Sequence, residues 1–307
     1  MSKNLLESGM QTVENLMYSV LASDVTVLQE ASRHILSAGG KRVRPRLALL
    51  SYLACGGHQV DRVAPAAAAV ELVHTASVVH DDINDHGVMR RGKPSVNAIW
   101  GRTFALLTGD FLFTKVYELM APFKDLNIVL AEATVALVEG ETLQAAAVKD
   151  NNFTREVYFD IIARKTAALF KAGAIIGATM ANGLEDQIDA LSMYGFNLGL
   201  AFQIIDDILD LTADSVQLGK TSGIDLEQGR GLAAVYVHDA ETTGKTSPAD
   251  PMDTIKRKLL GGNAIEEGRQ QARQLMQLAI AGLDVLPSSG AKDGLIELAH
   301  LVVERNH

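Results

Sequence analysis

Three aspartates close an apolar run in the segment His74-Thr75-Ala76-Ser77-Val78-Val79-His80-Asp81-Asp82-Ile83-Asn84-Asp85. The same D-D-x-x-D spacing returns in Asp206-Asp207-Ile208-Leu209-Asp210, after a second apolar run from Leu198 to Ile205. On a helix, the first and last acids of each motif stand one turn apart on one face. Like charges at that spacing destabilise an isolated helix by about 0.2–0.5 kcal/mol per pair. Beside a core, such a pair calls for a cation. A solvated acidic face is the ordinary alternative for either cluster alone. Solvated faces alternate with apolar stripes, however, and Leu200-Ala201-Phe202-Gln203-Ile204-Ile205 offers almost no polar face to join. Recurrence of the motif predicts two walls of one metal-filled cavity.

Cations gather at two places. Lys41-Arg42-Val43-Arg44-Pro45-Arg46 follows Gly39-Gly40 and runs straight into apolar Leu47-Ala48-Leu49-Leu50. Four cations in six residues, set between glycines and a core segment, form a compact anion-binding candidate rather than a solvated charge run. Arg90-Arg91-Gly92-Lys93 supplies a second group just beyond the first acidic motif.

The elements that must hold these groups are helical. The chain has 307 residues, 48% hydrophobic but only 5% aromatic, so its core is built from Ala, Leu, Val and Ile. Helical spacing is expected from about Leu5 to Leu36, from Pro65 through the first acidic motif, from Thr103 to Met120, and from Ala264 to about Glu304. Between Phe123 and Ser247 there is no proline, and breaks are expected at 149–152, 181–183 and 219–231. Residues 239–253 read as an exposed loop, and no strand alternation stands out. A net charge of -9 argues against a nucleic-acid partner and confines phosphate binding to local basic clusters. Cys55 is the single cysteine, which excludes an internal disulfide and fits a reducing compartment. The N-terminal residues lack the apolar core of a signal peptide, and no uninterrupted apolar run nears the roughly 18 residues of a membrane span. A cytoplasmic protein with no stable membrane insertion is expected.

Together these segments resemble the trans-isoprenyl diphosphate synthases, or polyprenyl synthases. The likeness runs from Gly39-Gly40-Lys41-Arg42-Val43-Arg44-Pro45 to about Asp225, through both acidic motifs, Arg90-Arg91-Gly92, Gly109-Asp110, Lys165-Thr166, Phe202-Gln203 and Gly219-Lys220. It implies an all-α fold: one domain over residues 1–307, a bundle of antiparallel helices around a deep central cavity, usually in a homodimer. It also implies condensation of isopentenyl diphosphate with an allylic diphosphate, assisted by Mg2+, with three ions expected. Asp81 and Asp85 would hold metal from one wall and Asp206 from the other, with Asp82, Asp207 and Asp210 as secondary ligands or orienting groups. Arg90, Lys165 and Lys220 would bind the allylic diphosphate, and Lys41, Arg44, His74 and Arg91 the isopentenyl diphosphate. Thr166 and Gln203 would line the reacting centre. Two departures stand out: Thr221 where the family often has proline, and Leu232-Ala233-Ala234 where it has Thr-x-Pro. Arg230 still provides a cation there.

The resemblance also points to chain-length positions. Short-chain members carry an aromatic residue five or four places before the first aspartate, where this chain has Ala76 and Ser77, with Val73 a turn further down. An open floor predicts a product longer than geranylgeranyl diphosphate, unless Phe111, Phe113 or Phe123 closes the tunnel. The alternatives are a farnesyl or geranylgeranyl synthase, a non-catalytic subunit of a heteromeric synthase, and a helical terpene cyclase. Both acidic motifs being complete argues against the last two.

Overall fold

The computed structural model describes residues 2–212, 230–232, 234–235 and 264–305. Lys220, Thr221, the end of the family likeness at Asp225 and the 239–253 loop expectation lie outside the described residues.

The fold is all-helical, organised around α4 (Val60–Asn84). That helix is apolar on almost every side, and Ala66, Ala67, Ala68 and Ala69 are all fully buried. A helix of this composition has no solvent face to spare and must sit inside the bundle. The alanines let α1 (Ser2–Val20), α3 (Val43–Ala54) and α8 (Ala168–Met180) pack against it at short range. Leu72 and Val73 follow, completely buried, each stabilising the fold by about 1.5–3 kcal/mol. By length and apolarity α4 and α9 (Glu185–Thr212) would each suffice to cross a membrane, yet here they are the core and one wall of a cleft.

Most of the expected breaks are present. The first long helical pattern divides into α1 and α2 (Thr26–Ser37), because the Ser23 hydroxyl accepts the Val25 N–H at 3.1 Å and turns the chain. Pro65 does not open α4: it lies inside, one turn past the start, where the loss of a single early hydrogen bond is tolerated. α5 (Val96–Met120) starts earlier than its apolar spacing suggests, capped by the Ser95 hydroxyl, and bends at Gly101, whose φ of 79° no side chain favours. The segment between α4 and α5 is a small hairpin, Met89–Arg90 paired with Lys93–Pro94, rather than a plain loop. α6 (Lys124–Lys149) and α7 (Arg155–Ile162) follow, joined through Asn151 in left-handed backbone. α7 passes into a π-turn, Ala163–Ala167, before α8. After α9 and the short described stretches at 230–232 and 234–235 come α10 (Ala264–Gly282) and α11 (Gly290–Val303), separated by a 3-10 turn, Leu283–Val285, and by Leu286 to Ser289 with its proline.

Candidate active site

Both acidic motifs stand at the C-terminal ends of helices. Asp81 and Asp82 lie in the last turn of α4, Asp85 caps it, and Asp206 to Asp210 close α9. The helix dipole makes this the unfavourable end for carboxylates. Repulsion within each motif and the dipole therefore act in the same direction, and both are relieved by positive charge.

The two motifs face one open cleft, whose lining includes Asp81, Asp82, Asp85, Asp206 and Asp207 together with Arg44, Arg90, Lys165 and Arg230. Four of these acids, Asp81, Asp82, Asp85 and Asp206, have a cation in reach. Arg90 donates from Nε at 3.0 Å and from Nη2 at 2.5 Å to Asp82 Oδ1. Arg230 makes a bidentate pair with Asp85, at 2.6 and 2.8 Å. Arg305 donates to Asp206 Oδ1 at 3.1 Å and to the Phe202 carbonyl at 3.0 Å. Asp81 faces Lys165. Burial pushes the Asp81 carboxyl up to about 6; Lys165 and Arg90 oppose that shift, while Glu141 and Asp85 reinforce it. Asp82 is also raised, by burial first, against Arg90.

Lys165 and Thr166 sit in the π-turn, a geometry often found at functional sites because it re-aims side chains. Gly140 on α6 makes the turn possible. A Cβ there would stand 2.5 Å from the Lys165 amide nitrogen, so any larger residue would push α6 away. Lys165 Nζ pairs with Glu141 and reaches Gln144 Oε1 at 3.5 Å, both one turn or less along the same helix. Glu141 and Gln144 were visible only as polar groups in an apolar helix.

Asp207 serves a different purpose from the other acids. Its Oδ2 accepts from Tyr158 Oη at 2.9 Å and from the Leu232 N–H at 3.0 Å, while its Oδ1 accepts from Gln203 Nε2 at 2.7 Å. Gln203 Oε1 in turn accepts the Thr166 hydroxyl at 2.8 Å. The chain Tyr158–Asp207–Gln203–Thr166 thereby fixes which face of the Gln203 amide meets the cleft. Asp207 is an orienting group. Asp210 is fully buried, outside the cleft lining. Tyr158 and Arg305 carry no motif that sequence reasoning could have used. At the start of the 232–234 departure, the Leu232 amide is bonded to Asp207.

A second wall is basic. Arg44 is buried with its guanidinium over Phe170 at 4.7 Å and Phe202 at 5.8 Å, and Arg305 lies over Phe202 at 4.3 Å. Burial lowers the Arg44 guanidinium to about 10, with Glu71 and Asp206 opposing. His74 is held well below its ordinary value by burial and by Arg44, Arg91, Arg90 and Arg42, so it presents a neutral ring. Arg91 packs against Gly40 and donates to the Gly39 carbonyl, and Lys93 Nζ donates to the Ser37 carbonyl at 2.9 Å. The hairpin and the glycine loop are thus tied together. Lys41 is exposed, within the fields of Arg305 and Asp206.

Among the described residues, no three His, Cys, Asp or Glu side chains converge closely enough to enclose an ion by themselves. The donors are all carboxylates, Asp82 Oδ2 is buried without a hydrogen-bond partner, and the two walls face each other. A hard cation held by one or two carboxylates and completed by phosphate oxygens fits this arrangement.

Beyond the acids the cleft turns apolar. Ser77 and Val78 line it on α4 and Leu137 on α6. One turn further down, Val73, Phe113, Val116, Leu130 and Val138 line a second cavity. Ala76 is completely buried and lines neither space, so of the two small residues before Asp81 it is Ser77 that faces the cleft. Of the three phenylalanines named as possible stoppers, Phe113 is the one in this lining.

Two acid-tipped helices opposed across a basic cleft, with an apolar extension behind, define a helical enzyme class that handles diphosphates with hydrocarbon tails. Residues 25–260 match the family described as polyprenyl synthetase, and the chain belongs to that family; it is a trans-prenyltransferase. It is 35% identical to octaprenyl diphosphate synthase of Escherichia coli over 98% of this chain and 97% of that protein. It is 37% identical to a short chain isoprenyl diphosphate synthase of Methanothermobacter thermautotrophicus, over 93% of each. Among solved structures, a polyprenyl synthase from Caulobacter crescentus, complexed with calcium and isoprenyl diphosphate, superimposes with a TM-score of 0.91 at 32% identity, covering 100% of this chain and 98% of that one.

Proposed function

We propose that this chain condenses isopentenyl diphosphate with an allylic diphosphate, releasing diphosphate and giving an all-trans polyprenyl diphosphate longer than geranylgeranyl. The observation that carries the reading is the opposition of the two acidic helix ends across a cleft lined by Ser77, with a separate apolar cavity one turn further along α4 at Val73.

Ionisation of the allylic substrate places growing negative charge on its diphosphate, and electrostatic stabilisation of that charge is the main catalytic need. Asp81, Asp85 and Asp206 would hold Mg2+, three ions in all, with Asp82 and Asp210 in support; bound there, Mg2+ would supply much of that positive charge. Lys165 and Arg90 would bind the leaving diphosphate, joined by Lys220. Arg44, His74, Arg91 and Lys41 would hold the isopentenyl diphosphate on the other wall, with a neutral His74 donating one hydrogen bond. Arg230 would stay with the acidic side. The Gln203 carbonyl and the Thr166 hydroxyl, held by Asp207, would face the allylic cation. The proton lost from the new chain passes to the departing diphosphate, the strongest base in a cleft whose lysines and arginines are protonated. We further propose a single domain over residues 1–307, a cytoplasmic location, and a homodimer formed through the exposed apolar face of α5 and α6.

A short-chain product is the second reading, favoured by the 37% identity to a short chain synthase. Labelled isopentenyl diphosphate and allylic primers of increasing length decide both points. Products longer than twenty carbons, formed with Mg2+ and abolished by a chelator or by Asp206→Ala, are expected. No condensation overturns the reaction; a halt at fifteen or twenty carbons overturns the length.

A further inference from the structure

Two cations, Lys41 and Arg42, precede α3 and two more, Arg44 and Arg46, lie in its first turn, yet Arg42 does not line the cleft. It holds left-handed backbone, φ 46° and ψ 41°, at the N-terminus of α3, which costs a residue with a Cβ about 1–2 kcal/mol. Something must hold it there. Its Nη1 donates to Glu71 Oε1 at 3.1 Å, its Nε and Nη2 donate to the two carboxylate oxygens of Glu14 at 3.3 Å each, and Nη2 also donates to the Leu36 carbonyl at 3.1 Å.

Glu71 lies on α4, one turn before His74, with its side chain only 3% exposed. Its Oε2 is buried without a hydrogen-bond partner. A carboxylate buried with one bond is expensive unless several cations share it. Here its charge acts on Arg44 and Arg91 as well as on Arg42. Those guanidinium groups would otherwise repel one another across the glycine loop.

We propose that Glu71 is a positioning residue for the basic wall: it anchors Arg42 in its left-handed pose, and so sets the direction in which Lys41 and Arg44 leave the backbone. Glu71 itself does not touch substrate. The inference rests on the assignment of that wall to isopentenyl diphosphate. Two effects of opposite sign compete. The Glu71 charge repels a diphosphate directly, but that repulsion is shared among three cations. Misdirecting Arg44 forfeits charge-assisted hydrogen bonds of about 1.5–3 kcal/mol each. Positioning wins.

Glu71→Gln keeps the shape and one acceptor and removes the charge. The KM for isopentenyl diphosphate is expected to rise about tenfold, while kcat at saturation and the KM for the allylic diphosphate stay within about twofold. Arg42→Lys, which keeps charge but loses the fork, gives the same split. Glu14→Gln, at the more exposed end of the network, acts in the same direction more weakly and keeps the test decisive if Glu71→Gln does not fold. A fall in the KM for isopentenyl diphosphate, an equal change for both substrates, or no change in the folded variants overturns the inference. A wild-type protein that condenses nothing overturns the functional reading instead. Calorimetric titration with inorganic diphosphate then still tests positioning, since binding must weaken in Glu71→Gln.

Discussion

Asp81 shows how a single residue carries opposed demands. Its carboxyl is raised to about 6 by burial, so in the metal-free protein its ionised form is a strain on the fold. A carboxyl whose folded pKa lies above its ordinary value of 3.8 favours folding when protonated. The penalty is therefore full above pH 6 and fades as pH falls towards 3.8. Asp81→Asn should raise the stability of chelator-treated protein at pH 8 by about 1–2 kcal/mol, discounted from the full shift because one side of the carboxylate faces the open cleft. The gain should vanish near pH 4, and turnover should fall by orders of magnitude at every pH. Thermal unfolding across pH checks the first point; equal stabilisation at pH 8 and pH 4 would contradict the charge argument. Of the cleft lining, Asp81, Asp82, Asp85, Asp206, Asp207, His74, Arg44, Arg90 and Lys165 could be picked out because each sits in a contiguous motif. Glu71, Tyr158 and Arg305 were not, because their partners lie 29, 49 and 99 positions away. Local spacing holds no signal for such pairs.

Among the elements, α4 sets both the chemistry and the length of the site, since it presents Asp81, Ser77 and Val73 in descending turns. Its apolar sequence announced a core helix and its terminal acids announced a site. Which of two adjacent small residues faces the cleft was not legible, because that depends on the helix's rotation in the bundle. The family pattern favoured Ala76 over Ser77; the packing puts Ser77, and not Ala76, in the cleft lining. Ala76 is enclosed, so a large residue there overpacks the core, a change costing about 1–3 kcal/mol. Ser77→Phe instead extends into the cleft lining. It should shorten the product to farnesyl or geranylgeranyl length with the protein's melting temperature little changed, whereas Ala76→Tyr should lower that temperature. Chromatography of the dephosphorylated products and thermal unfolding separate the two. An unchanged product from Ser77→Phe would place the floor elsewhere. The π-turn was equally hidden, since Arg164-Lys165-Thr166 reads as ordinary helix and the reason for the turn is the approach of Gly140 from α6.

At the scale of the whole molecule, a bundle that buries most of α4 still leaves a broad apolar surface. Ile128, Val135 and Val138 recur at helical spacing along α6, and Tyr117 on the neighbouring α5 is 68% exposed. Phe104, Leu106 and Leu107 continue the face along α5. Apolar surface on this scale is seldom left to water. A stable homodimer needs about 1,200–2,000 Å2 of buried surface, within reach of two long helices from each copy. The same face bounds the second cavity, because Tyr117, Val135 and Val138 belong to its lining. Closing such a dimer would wall off that cavity, and if the growing tail reaches it, assembly and product length would be coupled. The purified protein should sediment as a dimer at micromolar concentration. Val135→Glu combined with Val138→Glu should yield a folded monomer, since both residues are exposed and their replacement disturbs no core. With its cavity open to water, that monomer should release shorter products, because added methylene groups no longer enter apolar surroundings worth about 0.8 kcal/mol each. A wild-type monomer that instead floats with phosphatidylcholine vesicles would assign the face to a lipid surface. A monomeric variant with an unaltered product would show that the tail ends before it reaches the interface.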